Sequence, residues 1–174
     1  MSNLLIAYPN ISNQDLERIQ NIRKSHDPKY YDVVNPHITL VFGTQKLSLN
    51  HLLDHAKTVL SAFSTVSLCF DKALVVEDDS KTFFHTFLVP SKGYDDIIKI
   101  HDALYTGELL DELREDIPFI PHIGIGINED EKTMDSLATS INDNQFLITG
   151  VLDEITLVQY DGTKVRDITS ISLL

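Results

Sequence analysis

Residues 36–42 read PHITLVF and residues 121–127 read PHIGIGI. Each copy opens on Pro-His-Ile and continues in residues that suit a pleated, half-buried strand. Side chains alternate faces along a strand. In the first copy His37, Thr39 and Val41 therefore share one face, and Ile38, Leu40 and Phe42 the other. In the second, His122, Gly124 and Gly126 share a face opposite Ile123, Ile125 and Ile127. One face of each strand is bulky and apolar and belongs against helices. The other is small and polar and carries one imidazole, which is what the wall of a ligand cleft needs.

The two histidines lie about half a chain apart. If the halves are related by a pseudo-two-fold, the two strands line one groove and the imidazoles face a shared space. Histidine gives and takes protons near neutral pH, so two of them flanking one phosphorus can serve as base and acid. The Thr39 hydroxyl points the same way as His37 and can donate to a non-bridging phosphate oxygen. Taken singly, each histidine reads as a strand residue bonded to its surroundings. The repeated setting is what makes them candidates for a site.

The segments around the two copies alternate between strand and helix patterns. Leu4 to Tyr8 is a short apolar run stopped by Pro9. Ser12, with Asp15 three residues on, is a helix start, and Asp27-Pro28 is its end. Leu49, Leu52, Leu53, Ala56, Leu60 and Phe63 have helical spacing. Val66–Val76 and Thr82–Val89 read as paired strands around the turn EDDSK. Helices follow around Ile97–Tyr105 and Met134–Ile141, then strand runs at 145–151, 154–160 and 165–173. Asp161-Gly162 marks a hairpin between the last two. The order β-α-β-α-β-β, then α-β-α-β-β-β, is a mixed α+β chain with a trace of internal duplication.

The chain has 174 residues, 43% hydrophobic, which suits one compact domain with a substantial core. A net charge of −12 argues against a broad surface for long DNA or RNA. It leaves room for a small phosphorylated ligand in a local pocket. Cys69 is the only cysteine, so no disulfide framework exists and a cytoplasmic protein is expected. The start, MSNLLIAYPN, has neither a basic leader region nor an apolar run long enough to enter a membrane.

The His-x-Thr-Leu stretch at 37–40, followed half a chain later by a second His-x-x-x stretch, resembles the two-histidine (2H) phosphoesterase superfamily. That group includes the 2′-5′ RNA ligase-like proteins and cyclic phosphodiesterases. The opening strand, the basic first helix ending in Asp-Pro, and the segment VPSKGYDDIIKIHDAL at 89–104 extend the likeness over most of the chain. The resemblance implies an α+β, bilobal, pseudo-two-fold arrangement of two antiparallel sheets with outer helices around a central cleft, in one domain spanning 1–174. It implies chemistry on 2′,3′-cyclic phosphates or 2′-5′ phosphodiester bonds with no metal and no cofactor. The expected ligand is a small nucleotide or an RNA end, and the expected state a monomer. His37 and His122 match the family's catalytic pair, and Thr39 its phosphate-binding hydroxyl. Gly124 is a departure, because the family pattern places Ser or Thr there. Losing one transition-state hydrogen bond costs on the order of 10²–10³ in rate if nothing replaces it. The other readings are therefore a nucleotide-binding module with weakened catalysis, or a scaffold without a ligand.

Several residues lie outside the motifs. Arg23, Lys24 and Lys29 form the densest basic cluster. They serve either to attract a substrate phosphate or as charges favoured by a helix C-terminus. Arg23 stays open as a substrate contact, as does Tyr31, which with Tyr30 can stack on a base. His51 and His55 are spaced four apart on a helix but fall off its apolar stripe, so a solvated face is expected. His101 reads as a core histidine and Cys69 as a small core residue, while His85 has no assignment.

Overall fold

In the computed structural model, which describes all 174 residues, Ser2–Ala7 forms β1 and Asn10–Ile11 a two-residue β2. Helix α1 (Asn13–His26) starts as its sequence predicts: the Ser12 hydroxyl accepts from the Asp15 amide at 3.1 Å and donates to the Asp15 carboxylate at 2.8 Å. The chain continues as β3 (Ile38–Thr44), α2 (Leu49–Leu60), β4 (Val66–Glu77), β5 (Phe84–Lys92) and α3 (Tyr94–Leu104). A 3₁₀ segment at Gly107–Glu112, not foreseen, leads into β6 (Ile123–Asn128). Then come α4 (Glu131–Asp143), β7 (Ile148–Leu152), β8 (Glu154–Tyr160) and β9 (Val165–Ser172). The expected β8–β9 hairpin turns at Gly162, whose φ of +101° an L side chain rarely adopts.

The strands form two antiparallel sheets, ordered β3-β1-β8-β9 and β2-β7-β4-β5-β6. Read from the motif strand inward, β3-β1-β8-β9 and β6-β5-β4-β7 are equivalent, with β2 as an addition. The pseudo-two-fold expected from the repeated Pro-His-Ile is thus present in the strand order. Both motif strands are edge strands. The chain leaves the first sheet at Tyr8-Pro9 for β2, returns with β3, builds β4 to β7 in the second sheet, and comes back to the first with β8 and β9. Helices α1 and α4 pack on the five-stranded sheet, while α2 and α3 pack on each other and reach β9 and β3. A single cluster of 32 buried apolar residues runs through both halves. Each fully buried Leu, Ile or Phe in it contributes roughly 1.5–3 kcal/mol of transfer free energy. No helix is long and apolar enough to cross a membrane.

Two register shifts correct the simple alternation read from the motifs. In β3 the pairing passes from Ile6–Thr39 to Leu5–Val41, so Leu40 is an extra residue on its strand. A bulge of this kind leaves consecutive residues on the same side. Leu40 and Val41 are both fully buried, and Phe42, expected on the apolar face, is 54% exposed. In β6 the pairing passes from Thr86–Gly126 to Phe87–Gly124, so Ile125 is the extra residue. Gly126 was expected beside His122 and Gly124. It instead lies under α4 and α1, where a Cβ would come within 2.9 Å of Leu137 and 3.1 Å of the Met134 sulfur. Both shifts fall after the residues that matter, so His37–Thr39 and His122–Gly124 keep the faces the sequence assigns them.

Candidate active site

Each histidine sits one residue before its strand and is held in the same way. The His37 Nδ1 is 2.8 Å from the carbonyl of Asn35, and the His122 Nδ1 is 2.6 Å from the carbonyl of Ile120. A carbonyl only accepts, so Nδ1 carries the proton in both rings and Nε2 presents its lone pair. In each case the accepting carbonyl lies two residues back, across the proline of the motif. The Pro-His-Ile tripeptide thus builds one local device twice.

The walls around the rings are aromatic. Phe87, on β5 beside Gly124, stacks on His122 with centroids 3.5 Å apart and planes 15° apart. Tyr8, at the end of β1, meets His37 edge-on at 6.5 Å and donates its hydroxyl to Asp167 on β9 at 2.9 Å. Burial, assisted by the Asp167 carboxylate, pushes the Tyr8 phenol well up, so it stays a donor. Sequence reasoning missed both residues. The period-2 run at 82–89 carried a usable signal for Phe87, since it sets His85, Phe87 and Val89 on one face. Nothing in the sequence singled out Tyr8.

Electrostatics tie the two rings together. Burial pushes the His122 imidazole down to about 4, against the opposing pull of the Ile120 carbonyl. Charge on His37 and on His85 depresses it further, so the three rings lie within electrostatic reach. His37 is also lowered, first by burial and then by the Arg23 guanidinium, with the Asn35 carbonyl opposing. Both imidazoles are therefore neutral near pH 7 when no anion lies between them.

The sign of the stability change follows. Above 6.5, the ordinary value, His122 is neutral in both the folded and unfolded chain and contributes nothing to pH dependence. As pH falls from there the unfolded chain takes up the proton first, so folding stability declines until about pH 4 and then levels off. The loss amounts to at most about 3 kcal/mol. Chemical denaturation of the wild type and of His122→Gln between pH 7 and pH 4 checks this: the wild type should lose stability more steeply. Parallel curves would show that His122 is not held neutral by the fold.

Thr39 pairs with Ile6, is half-buried on the His37 face, and its hydroxyl makes no hydrogen bond within the protein. Gly124 faces open space, with nothing within 4 Å of where a Cβ would stand. A serine therefore fits at 124 without strain. Gly124→Ser should raise turnover of a phosphodiester by roughly tenfold or more, because a second hydroxyl can then reach the phosphate. An unchanged or lower kcat in a steady-state assay would mean that the glycine itself is required.

Arg23 does not reach the cleft surface. It is 2% exposed, and its Nε lies 2.9 Å from the Asp27 carboxylate. Its terminal nitrogens donate to the carbonyls of Val34 and Tyr30 at 2.9 Å and to Gln20 at 3.1 Å. The side chain is thus engaged in holding loop 27–36, which delivers His37, rather than free to meet a substrate. Tyr31 is half-buried in that loop with its amide on the Asp27 carbonyl, and Lys24 is exposed. Lys29 lies over the rings of Phe83 and Tyr30, at 4.8 and 5.3 Å. His101 is a core histidine as expected, 4% exposed and stacked on Phe119 at 3.8 Å. His55 departs from the expected solvated face: its Nε2 lies 2.8 Å from the Leu104 carbonyl, at the C-terminus of α3. Cys69 is only half-buried. No three His, Cys, Asp or Glu side chains converge as a metal-ligand set. A hollow of about 440 Å³ between α1 and α4 is lined by none of the cleft residues.

A pair of like-ordered antiparallel sheets, each with a carbonyl-tethered histidine at the head of its edge strand, defines a class of protein. The family model of the 2′-5′ RNA ligase superfamily matches residues 9–164, and the chain belongs to that superfamily. Solved structures share the fold. Escherichia coli LigT complexed with 3′-AMP is 14% identical with a TM-score of 0.62, over 99% of this chain and 97% of that one. LigT complexed with phosphate is also 14% identical, at TM-score 0.61, over 99% and 96%. Kluyveromyces marxianus Usb1 with uridine monophosphate is 12% identical at TM-score 0.56, over 98% of each chain. No curated protein matches the chain in sequence.

Proposed function

We propose that the chain is a cytoplasmic, monomeric phosphoesterase, one domain of two intertwined lobes. It acts on the 2′,3′-cyclic phosphate or 2′-5′ phosphodiester of an RNA end or small nucleotide, with His37 and His122 as the acid–base pair and no cofactor. The observation that carries this reading is the matched tethering of the two rings, which leaves both Nε2 atoms free to exchange a proton. Similar folds complexed with 3′-AMP, phosphate and uridine monophosphate support a small nucleotide as ligand.

The chemistry follows from the protonation states. A phosphodiester anion entering between the rings favours a proton on one of them, since an opposite charge stabilises the charged form. The neutral ring takes a proton from water as its oxygen bonds to phosphorus. The protonated ring gives its proton to the ribose oxygen as the P–O bond breaks. The hydroxyl of Thr39 donates to a non-bridging oxygen as charge builds there. The rings end the cycle with their protons exchanged and reset through solvent.

Incubation with a panel of 2′,3′-cyclic nucleotides, with and without EDTA, tests the proposal. Turnover is expected in both, with a bell-shaped dependence of kcat/KM on pH. The bare Gly124 favours one other reading, a module that holds a nucleotide without cleaving it. Tight binding by titration calorimetry with no product overnight would select that reading. Absence of both binding and product would leave neither.

A further inference from the structure

We propose that His85 and Lys29 form a second anion subsite in the cleft, which holds a further phosphate on the same nucleotide whose phosphodiester lies between His37 and His122. This rests on the function proposed above. Along β5 the faces alternate, and Phe87 lies against His122, so His85 is turned to the same side. Its ring is 5.7 Å from that of Phe87. Two strand residues span about 7 Å, which sets His85 one group beyond the reacting phosphorus rather than upon it.

His37 and His122 each spend Nδ1 on a backbone carbonyl. His85 spends neither nitrogen: its half-buried ring makes no hydrogen bond within the protein. Both nitrogens are free for a ligand. Burial is the main cause that lowers His85, the Asp78 carboxylate pulls it back up, and the Lys29 ammonium, held over the ring of Phe83 two residues away, lowers it further. The subsite thus joins a mobile proton donor to a permanent cation, in a chain that is otherwise strongly acidic. Asp78 is the opposing charge nearby. Its carboxylate is occupied by the Ser80 hydroxyl and the amides of Thr82 and Phe83, which turn it into its own loop.

Calorimetric titration of adenosine 3′-monophosphate and adenosine 3′,5′-bisphosphate into the wild type and His85→Ala provides the test. The wild type should bind the bisphosphate roughly tenfold more tightly, as expected for a charge-assisted hydrogen bond. In His85→Ala the ratio of the two Kd values should collapse toward one, and His85→Gln should restore part of it. Equal affinities in the wild type, or a bisphosphate advantage that survives in His85→Ala, would overturn the subsite, as would absence of binding by either ligand. A preserved bisphosphate preference with no turnover of cyclic nucleotides would instead count against the catalytic reading and leave the subsite standing. Thermal unfolding of each variant guards against a loss of fold.

Discussion

His37→Ala and His122→Ala are each expected to lower turnover of a 2′,3′-cyclic nucleotide by about 10²–10⁴-fold, the usual worth of a positioned acid or base. The fold should survive both changes, because each histidine precedes its strand and contributes no ladder hydrogen bond to it. The two variants should also differ in their pH profiles. Each removes one limb of the bell, and the lost limb identifies which ring serves as acid and which as base. The double variant should be little worse than either single one, since a base without an acid leaves most of the gain unrealised. Steady-state kinetics beside circular dichroism would check this. Turnover within a few-fold of wild type in either variant removes the acid–base pair from the account.

Arg23→Met should cost about 3–5 kcal/mol of folding free energy, the range found when one partner of a buried ion pair is removed. Its loss strands the Asp27 carboxylate, which is 4% exposed. Asp27 is already pushed above the ordinary carboxylate range by burial, with Arg23 pulling it back. Removing the guanidinium also takes a donor from the carbonyls of Val34 and Tyr30, although Tyr30 keeps the amides of Val33 and Val34. Arg23→Lys should recover only part of the loss, because an ammonium cannot match the planar fork. Urea denaturation at pH 7 measures the cost. A change below about 1 kcal/mol would show that loop 27–36 is held by something else. Because that loop delivers Asn35, Pro36 and His37, activity should fall in variants that still fold.

Much of this was legible in the sequence for a physical reason. Strand alternation is a local property, so His37–Thr39 and His122–Gly124 could be placed on their faces without coordinates. The helix start at Ser12 and the turn at Asp161-Gly162 are likewise set by neighbouring residues. The failures share a cause too. The register shifts at Leu40 and Ile125 come from pairing with β1 and β5, and a single strand carries no mark of its partner's register. They turned Phe42 outward and Gly126 beneath a helix. Arg23 stayed open as a substrate contact because two of its partners, the carbonyls of Val34 and Tyr30, meet it only when the loop folds back. Tyr8 became a cleft wall through sheet order, which no spacing in the chain reveals, while the face of Phe87 was readable from its strand but its neighbour His122 was not.

The central claim is that both imidazoles address one phosphorus atom. A crystal structure of the protein with orthovanadate tests it most directly. The account predicts a single bound ion within about 2.6–3.2 Å of Nε2 of both His37 and His122, with the Thr39 hydroxyl on an equatorial oxygen. Vanadate bound to one ring alone, or bound elsewhere while the space between the rings stays filled with water, would contradict it.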